Sequence, residues 1–202
     1  MLGNDVVDLR DSETLDGARH PRFDRRVFTR DELAALHTSS HERALRWSFW
    51  AAKEAAYKLV KKRETRAVFS PVRFAVHLLD EQSGDVCWNG SRFALQLCRH
   101  GATLHAIVCD APHRTREILH GVEELASACD ASTVARGLAR ELVAKRLAWP
   151  TSEISFARRG RAPVLLHRGE PSGVDLSLSH HGLLAAFACE VMPVAEAAGP
   201  LQ

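Results

Sequence analysis

The stretch WSFWAAKEAAYKLVKK, residues 47–62, is the most helix-like segment of this 202-residue chain. It is rich in alanine, lacks glycine and proline, and opens beside Ser48, a residue type that often caps helix starts. In a helix, Glu54 and Lys58 are four residues apart and share a face, while Lys53 lies about 100° around the axis and can flank the same edge. A solvated Glu–Lys pair is the ordinary explanation of this pattern, and presentation of charge to a ligand is the alternative.

The composition is that of a globular protein. Apolar residues make up 46% of the chain, and 27 Lys and Arg against 25 Asp and Glu leave a net charge of +2. This balance predicts neither nucleic-acid nor membrane binding, so a charged partner must meet a local patch. The start, MLGNDVVDLR, does not resemble a signal peptide, and no apolar run approaches the roughly 18 residues that span a bilayer. We therefore expect a cytoplasmic protein.

Five cysteines without a CxxC pair predict buried free thiols rather than a zinc site or a disulfide framework. The scattered histidines support this, since no HExxH motif or regular Cys/His ligand spacing occurs.

Two parts of the chain repeat the same order of predicted elements. A helix ending in KEAAYKLVKK, residues 53–62, is followed by alternating strand-like segments within residues 69–110. A second helix, ARGLARELVAKRLAW, residues 135–149, is followed by similar segments within residues 150–190. The pattern predicts an α+β fold, in which a pseudo-twofold duplication pairs two halves that each pack a helix on an antiparallel sheet.

The segment DAPHRTRE, residues 110–117, interrupts the apolar pattern with a proline and charges. We expect the halves to meet there, as domains 1–112 and 113–202. A duplicated unit commonly carries its site at the interface of the two copies, although chance similarity of two α+β stretches is the alternative.

Acidic residues of the first half could bind a metal ion. GNDVVDL, residues 3–9, is strand-like, with Asp5 and Val7 on one face and Asp8 on the other. Asp5 from a strand beside Glu54 from a helix is a common way to hold Mg²⁺, with water and phosphate completing its coordination. Each carboxylate taken alone is more simply a solvated or capping residue.

Three further segments offer groups that could bind anions. SLSHHG, residues 177–182, is expected to place Ser179 and His180 at a turn, and GRAPVL puts Arg161 before a strand. ARHPRFDRRVFTRDEL, residues 18–33, interleaves arginines with apolar residues and predicts a helical segment with one buried and one basic side. An exposed hairpin turn and a solvated face are the simpler explanations.

In combination, these motifs resemble those of the 4'-phosphopantetheinyl transferases, which convert apo carrier proteins to the holo form. The family's G-x-D strand is similar to GND (3–5), and its W-x-x-K-E-x-x-x-K helix to WAAKEAAYK (50–58). Its G-K/R-P and S-H-x-G elements are similar to GRAP (160–163), which carries an extra Ala162, and SHHG (179–182). The resemblance covers nearly the whole chain and implies the transferase fold.

The order of the motifs implies a circular permutation. In two-half, surfactin-type enzymes the S-H-x-G half precedes the G-x-D half, whereas here it follows. In the short holo-acyl-carrier-protein-synthase type, G-x-D opens the chain, but three one-half subunits assemble. One chain with both halves implies a complete interface, and hence a monomer.

The resemblance also implies roles for individual residues. Val7 stands where many two-half enzymes have a third acidic ligand, which implies water in that position. Coenzyme A and Mg²⁺ are the implied co-substrate and metal, and apo acyl or peptidyl carrier proteins are the implied partners. The implied residues are Asp5 and Glu54 for the metal; Glu54 and Lys58 for catalysis; Lys53, Lys58, Arg136, Arg161, Ser179 and His180 for coenzyme A; and Arg19, Arg22 and Arg26 for docking the carrier protein.

The implied reaction transfers phosphopantetheine from coenzyme A to a carrier-protein serine and releases 3',5'-ADP. A magnesium-dependent phosphohydrolase acting on coenzyme A would need the same Asp, Glu and Lys, but would leave the docking arginines unexplained. A docking module without catalysis predicts a degraded metal site, contrary to the intact Asp5 and Glu54. The motifs do not distinguish among fatty-acid, polyketide and nonribosomal-peptide carrier proteins as the substrate.

Overall fold

A computed structural model describes residues 1–17, 20–110, 117–126, 130–160 and 162–191. Within these residues, the first part of the chain has one strand, three α-helices and then four strands, and the second has one strand, one α-helix and five strands. The elements are β1 (Leu2–Asp8), α1 (Phe23–Val27), α2 (Arg30–Thr38), α3 (Glu42–Arg63), β2 (Ala75–Leu78), β3 (Ser83–Trp88), β4 (Ser91–His100), β5 (Thr103–Cys109), β6 (Glu117–Glu124), α4 (Ala131–Leu147), β7 (Ile154–Arg159), β8 (Ala162–His167), β9 (Glu170–Pro171), β10 (Asp175–His181) and β11 (Leu184–Val191).

Antiparallel sheets organise both parts. The first sheet has the order β1-β5-β4-β3-β2, which puts β1 at its edge. The second has the order β10-β11-β6, and a small third sheet has the order β7-β8-β9. With helices on these sheets, the predicted α+β class is confirmed. The predicted boundary at residue 112 lies outside the described residues, so the division into two domains stays a prediction.

The molecule is layered. Helix α3 packs on one face of the first sheet, and Val7 of β1 lies in the apolar core between them. The opposite face of β1 and β5 packs on β11 through apolar contacts that include Leu2, Ile107 and Ala188. Helix α4 covers the other face of β11, where Phe187 and Cys189 lie in its core. The second sheet is thus enclosed between the first sheet and α4.

Helix α3 begins earlier than the sequence indicated. It starts at Glu42, and Ser48 lies inside it, donating a hydrogen bond from its hydroxyl to the Ala44 carbonyl at 2.9 Å. The expected cap at Ser48 was therefore wrong. Arg46, in the added part of the helix, pairs with Asp24 of α1 at 3.0 Å and also contacts Glu42 one turn earlier. This contact ties the start of α3 to α1 and helps to hold the extra turn in helical form.

Helix α4 has a clear start. Its N-cap is Asp130, whose carboxylate accepts hydrogen bonds from the backbone N–H groups of Ser132 and Thr133 at 3.1 and 3.3 Å. Such a cap satisfies N–H groups that the helix itself cannot pair. The helix therefore starts four residues before the predicted 135–149 segment.

No helix in the described part of the chain is long and apolar enough to cross a membrane. Cys87, Cys98 and Cys189 form no disulfide bond, and Cys129 lies outside the described residues. Cys189 is buried, as expected, whereas Cys87, Cys98 and Cys109 are only partly buried, so the expectation of buried thiols is wrong for these three.

Candidate active site

The candidate site forms where β1 crosses α3, and Gly3 makes that crossing possible. A Cβ atom on Gly3 would overlap the carbonyl oxygen of Ala55 and lie 2.8 Å from the backbone nitrogen of Leu59. Because real Cβ atoms do not approach backbone atoms so closely, only glycine lets the strand lie against the helix here. Residues on the same face of β1 are thereby brought to the polar residues of α3.

Asp5 and Lys58 are in direct contact at this crossing. The Lys58 ammonium donates to Asp5 Oδ1 at 2.7 Å and to the Asn4 carbonyl at 3.0 Å. Glu54 lies one turn earlier on α3, close enough for the Asp5 and Lys58 charges to act on it. The structure therefore brings together three predicted site residues, one from a strand and two from a helix.

The two carboxyl groups share an environment that disfavours negative charge. Burial raises the pKa of Asp5, although Lys58 opposes the shift. Burial, together with the Asp5 charge, raises the pKa of Glu54 from 4.5 to about 7. A second cation, in addition to Lys58, would stabilise the ionised form of both carboxyl groups. The group is therefore electrostatically prepared for an additional positive charge.

The donor set fits magnesium. Carboxylate oxygens are the ligands that Mg²⁺ prefers, and it commonly takes one or two from the protein while water and phosphate supply the others. Val7, the next residue on the same face of β1, is 1% exposed in the apolar core below α3. Asp5 and Glu54 are thus the two carboxylates that this crossing offers to a metal.

Lys53 does not join this group. Its side chain is fully buried and pairs with Glu32 of α2 at 2.8 Å. It also donates to the carbonyl oxygens of Phe74 and Pro71. The expectation that Lys53 flanks the Glu54–Lys58 edge is wrong, because a rotation of about 100° around the helix turns its side chain into the core of the first half.

A polar seam joins the free edge of β1 to β10. Backbone N–H groups of Leu2, Asn4 and Asp8 donate to Asp175 Oδ2 at 2.6 Å, Ser177 Oγ at 3.0 Å and His181 Nδ1 at 3.2 Å. Alternate side chains of β10 thus replace the neighbouring strand that β1 lacks on this side. Lys62 completes one end of the seam, donating to the Leu2 carbonyl at 2.8 Å and to Asp175 at 2.7 Å.

Ser179 and His180 lie within strand β10 rather than at the turn expected after it. The turn follows at Gly182, where φ is +54°. Ser179 is 4% exposed and accepts a hydrogen bond from Asn4 Nδ2 at 2.9 Å, whereas His180 is exposed. Since side chains alternate along a strand, the two point to opposite faces of β10.

Arg136 lies near the start of α4. It lines a surface cavity of about 540 Å³ that has a strongly basic wall. Arg140, one turn further along α4, stacks its guanidinium over the Phe156 ring at 5.5 Å, and Arg158 of β7 adds a third positive charge. The cavity suits an anionic ligand. Arg161 lies outside the described residues.

The sequence pattern of the 4'-phosphopantetheinyl transferase superfamily matches residues 1–111, which contain β1, α3 and the Asp5–Glu54–Lys58 group. The chain belongs to the 4'-phosphopantetheinyl transferase superfamily. Among solved structures, it is similar to the holo-[acyl-carrier-protein] synthase of Thermotoga maritima, with a TM-score of 0.42 and 17% identity over 85% of this chain and 84% of the other. No curated protein sequence matches the chain.

In this superfamily member, the basic segment forms α1. Phe23 and Val27 turn toward the core, while Arg22, Arg25 and Arg26 are exposed. The predicted buried and basic sides are confirmed here, but the helix is not continuous over residues 18–33, since α1 ends at Val27 and α2 begins at Arg30. Asp24, the acidic residue among these arginines, is engaged by Arg46, so it offsets little of their charge. Arg19 lies outside the described residues.

Sequence reasoning missed the seam residues Asn4, Lys62, Asp175 and Ser177. A usable signal was present in DLSLSHH, residues 175–181, where polar residues alternate with leucines. Such alternation predicts one polar face along the strand. The pattern does not show which element that face meets, because β1 lies 173 residues earlier in the chain.

Proposed function

We propose that the chain transfers 4'-phosphopantetheine from coenzyme A to a serine of an apo acyl or peptidyl carrier protein, with Mg²⁺, and releases 3',5'-ADP. The observation that carries this proposal is the Asp5–Glu54–Lys58 group at the β1–α3 crossing, in a member of this superfamily. The group combines two metal-binding carboxylates with a cation that can meet phosphate.

The reaction is a substitution at the β-phosphorus of coenzyme A. The serine oxygen of the carrier protein forms a bond to this phosphorus, and the bond from the phosphorus to the oxygen that bridges the two phosphates breaks. That oxygen leaves with 3',5'-ADP, and the serine proton passes to a base. The nucleophile belongs to the substrate, so the chain must supply a base, positive charge and positioning.

Glu54 is the proposed base. Its carboxylate lies close to Asp5 and Lys58, where it can accept the serine proton and release it afterwards. General base catalysis of this kind contributes about 10² to 10⁴ in rate. Since Glu54 lies in the middle of a 22-residue helix, no loop has to become ordered to position it.

Lys58 is the proposed partner of the phosphates. Its side chain is 30% exposed, so its ammonium can contact a ligand while it remains bonded to Asp5 and the Asn4 carbonyl. Mg²⁺ held by Asp5 and Glu54 would supply further positive charge against the developing negative charge of the leaving group. Asp5 holds the Lys58 ammonium in place and keeps it beside the phosphate position.

The second half is the proposed holder of the 3'-phosphate end of the coenzyme. His180 is exposed, and the arginine-lined cavity beside Arg136 supplies positive charge on the α4 side of the sheet. Ser179 would act from within the seam, through its bond to Asn4. Arg161 remains a candidate from the resemblance alone.

Helix α1 is the proposed docking surface for the carrier protein. Arg22 and Arg26 are exposed beside a buried aromatic face, so their charges can meet an acidic helix without moving the core. Since one chain carries both halves of the site, we propose a monomer, which light scattering at micromolar concentration would test.

The test compares Glu54→Gln with Glu64→Gln, an exposed carboxyl at the end of the same helix. Purified protein is given Mg²⁺, coenzyme A and apo carrier proteins, and release of 3',5'-ADP is followed by chromatography. We expect Glu54→Gln to slow release by about 10² to 10⁴, and Glu64→Gln to leave it unchanged. Release that needs no carrier protein would instead support hydrolysis of coenzyme A, and equal rates in the two variants would exclude Glu54 as the base.

A further inference from the structure

Asn4 occupies the centre of the interface between the two sheets. Its side chain is fully buried between an apolar group around Leu2 and another around Val6. Burying a polar side chain at this depth is costly, and hydrogen bonds offset that cost. Its contacts therefore show what this position of β1 does.

The polar groups of Asn4 connect three elements. Its backbone N–H donates to Ser177 of β10 at 3.0 Å, and its carbonyl accepts from Lys58 of α3 at 3.0 Å. Its side-chain Nδ2 contacts His105 Nε2 of β5 and Ser179 Oγ of β10, both at 2.9 Å. Lys58, which also contacts Asp5, is thus joined to β10 through a single residue.

The directions of these hydrogen bonds follow from chemistry. An amide nitrogen has only hydrogens to offer, so Nδ2 donates to both His105 and Ser179. His105 must then be neutral, with its proton on Nδ1, which is consistent with its being 1% exposed. Asn4 Oδ1 and His105 Nδ1 have no hydrogen-bond partner within the described ranges, so the amide is held by its nitrogen alone.

We propose that Asn4 is a positioning residue that fixes strand β10, with its coenzyme-binding residues, in register with the Asp5–Glu54–Lys58 group. This inference rests on the proposed function, in which one coenzyme contacts both halves at once. The pyrophosphate lies at the first half and the 3'-phosphate end at the second. Recognition of the 3'-phosphate therefore depends on the register that Asn4 sets, although Asn4 itself does not touch the ligand.

The test compares coenzyme A with dephospho-coenzyme A, which lacks the 3'-phosphate. For each variant, kcat/KM with coenzyme A is divided by kcat/KM with dephospho-coenzyme A. This ratio is insensitive to the folded fraction of the protein, because the fraction cancels. A merely structural role of Asn4 would lower both values and leave the ratio unchanged.

Asn4→Ala is expected to reduce the ratio at least about tenfold. The reference is His180→Ala, which removes a proposed 3'-phosphate contact directly, and the ratio of Asn4→Ala should approach the ratio of that variant. Ser179→Ala breaks the same hydrogen bond from the other strand and should give a similar loss. The double variant should lose no more than Asn4→Ala, because that variant already removes the hydrogen bond to Ser179. Asn89→Ala, at an exposed turn of the first half, is the matched control with an unchanged ratio.

A wild-type ratio in Asn4→Ala would overturn the positioning role. Should Asn4→Ala fail to fold, Ser179→Ala carries the test, and a wild-type ratio there overturns the role equally. These outcomes differ from failure of the proposed function itself. In that case the wild-type protein would transfer nothing from either coenzyme, and the positioning role would fall with it.

Discussion

Replacing Glu54 by glutamine should stabilise the metal-free protein at alkaline pH. The pKa of Glu54 is raised from 4.5 to about 7 by burial and by Asp5, so its charged form is disfavoured in the folded state. Between these values the folded protein binds more protons than the unfolded chain, and stability falls as pH rises. Above pH 7 the folded protein carries the full free-energy cost of ionising Glu54, which the difference between the two pKa values puts at about 3 kcal/mol at most. Glutamine keeps the shape of the side chain and removes this cost.

The measurement is thermal unfolding of both proteins in chelator, from pH 5 to pH 8.5. At pH 5 the difference between the two midpoints should be only about a quarter of its value at pH 8.5, because most of the titration window lies above pH 5. At pH 8.5, Glu54→Gln should melt higher, by roughly 6–12 °C for a chain of this size. Added Mg²⁺ should raise the midpoint of the wild-type protein more than that of the variant, because the metal binds the folded carboxylates. A constant difference across this pH range would refute the electrostatic explanation of the site.

Three further results are expected. Gly3→Ala should destabilise the protein by about 2–4 kcal/mol in urea unfolding, because the new Cβ would collide with Ala55 and Leu59. The control is Gly137→Ala, where a Cβ meets nothing within 4 Å, and this variant should stabilise α4 by up to about 1 kcal/mol. Equal effects of the two substitutions would contradict the close approach at Gly3. Lys53→Met should cost about 3–5 kcal/mol in the same assay by leaving Glu32 buried without its cation; unchanged stability with weakened coenzyme A binding would return Lys53 to the phosphate site. Burial, helped by the neighbouring His120, lowers the pKa of His105 to about 3. Between pH 3 and 6.5 the unfolded chain therefore binds more protons at His105 than the folded protein does, and the free energy of unfolding rises with pH across that range. The imidazole NMR signals of His105 should not shift between pH 5 and 8, and a titration there would contradict the neutral ring that Asn4 requires.

Much of the first half of the site could be predicted from local patterns. Helical spacing put Glu54 and Lys58 on one face, and strand alternation put Asp5 on the face that meets α3. A G-x-D sequence before a helix also contains the reason for the close packing, since only Gly3 tolerates it. These features depend on residues near one another on one element, which is why the sequence carries them.

The rest depends on which elements meet. Lys53 is one residue from Glu54, yet α2 supplies a buried carboxylate that draws it into the core. Ser48 has the chemistry of a cap, but contacts of Arg46 with Asp24 extend the helix beyond it. The seam joins residues 173 positions apart, so its polar alternation could be noticed in β10 while its partner β1 could not.

The most direct test of the proposed function is the intact mass of an apo carrier protein after incubation with the chain, Mg²⁺ and coenzyme A. We expect a gain of one phosphopantetheine on the carrier serine, abolished by chelator and by Asp5→Asn, with both variant and wild-type protein folded. A carrier of unchanged mass across fatty-acid, polyketide and nonribosomal-peptide types, with the wild-type protein folded and Mg²⁺ present, would contradict it.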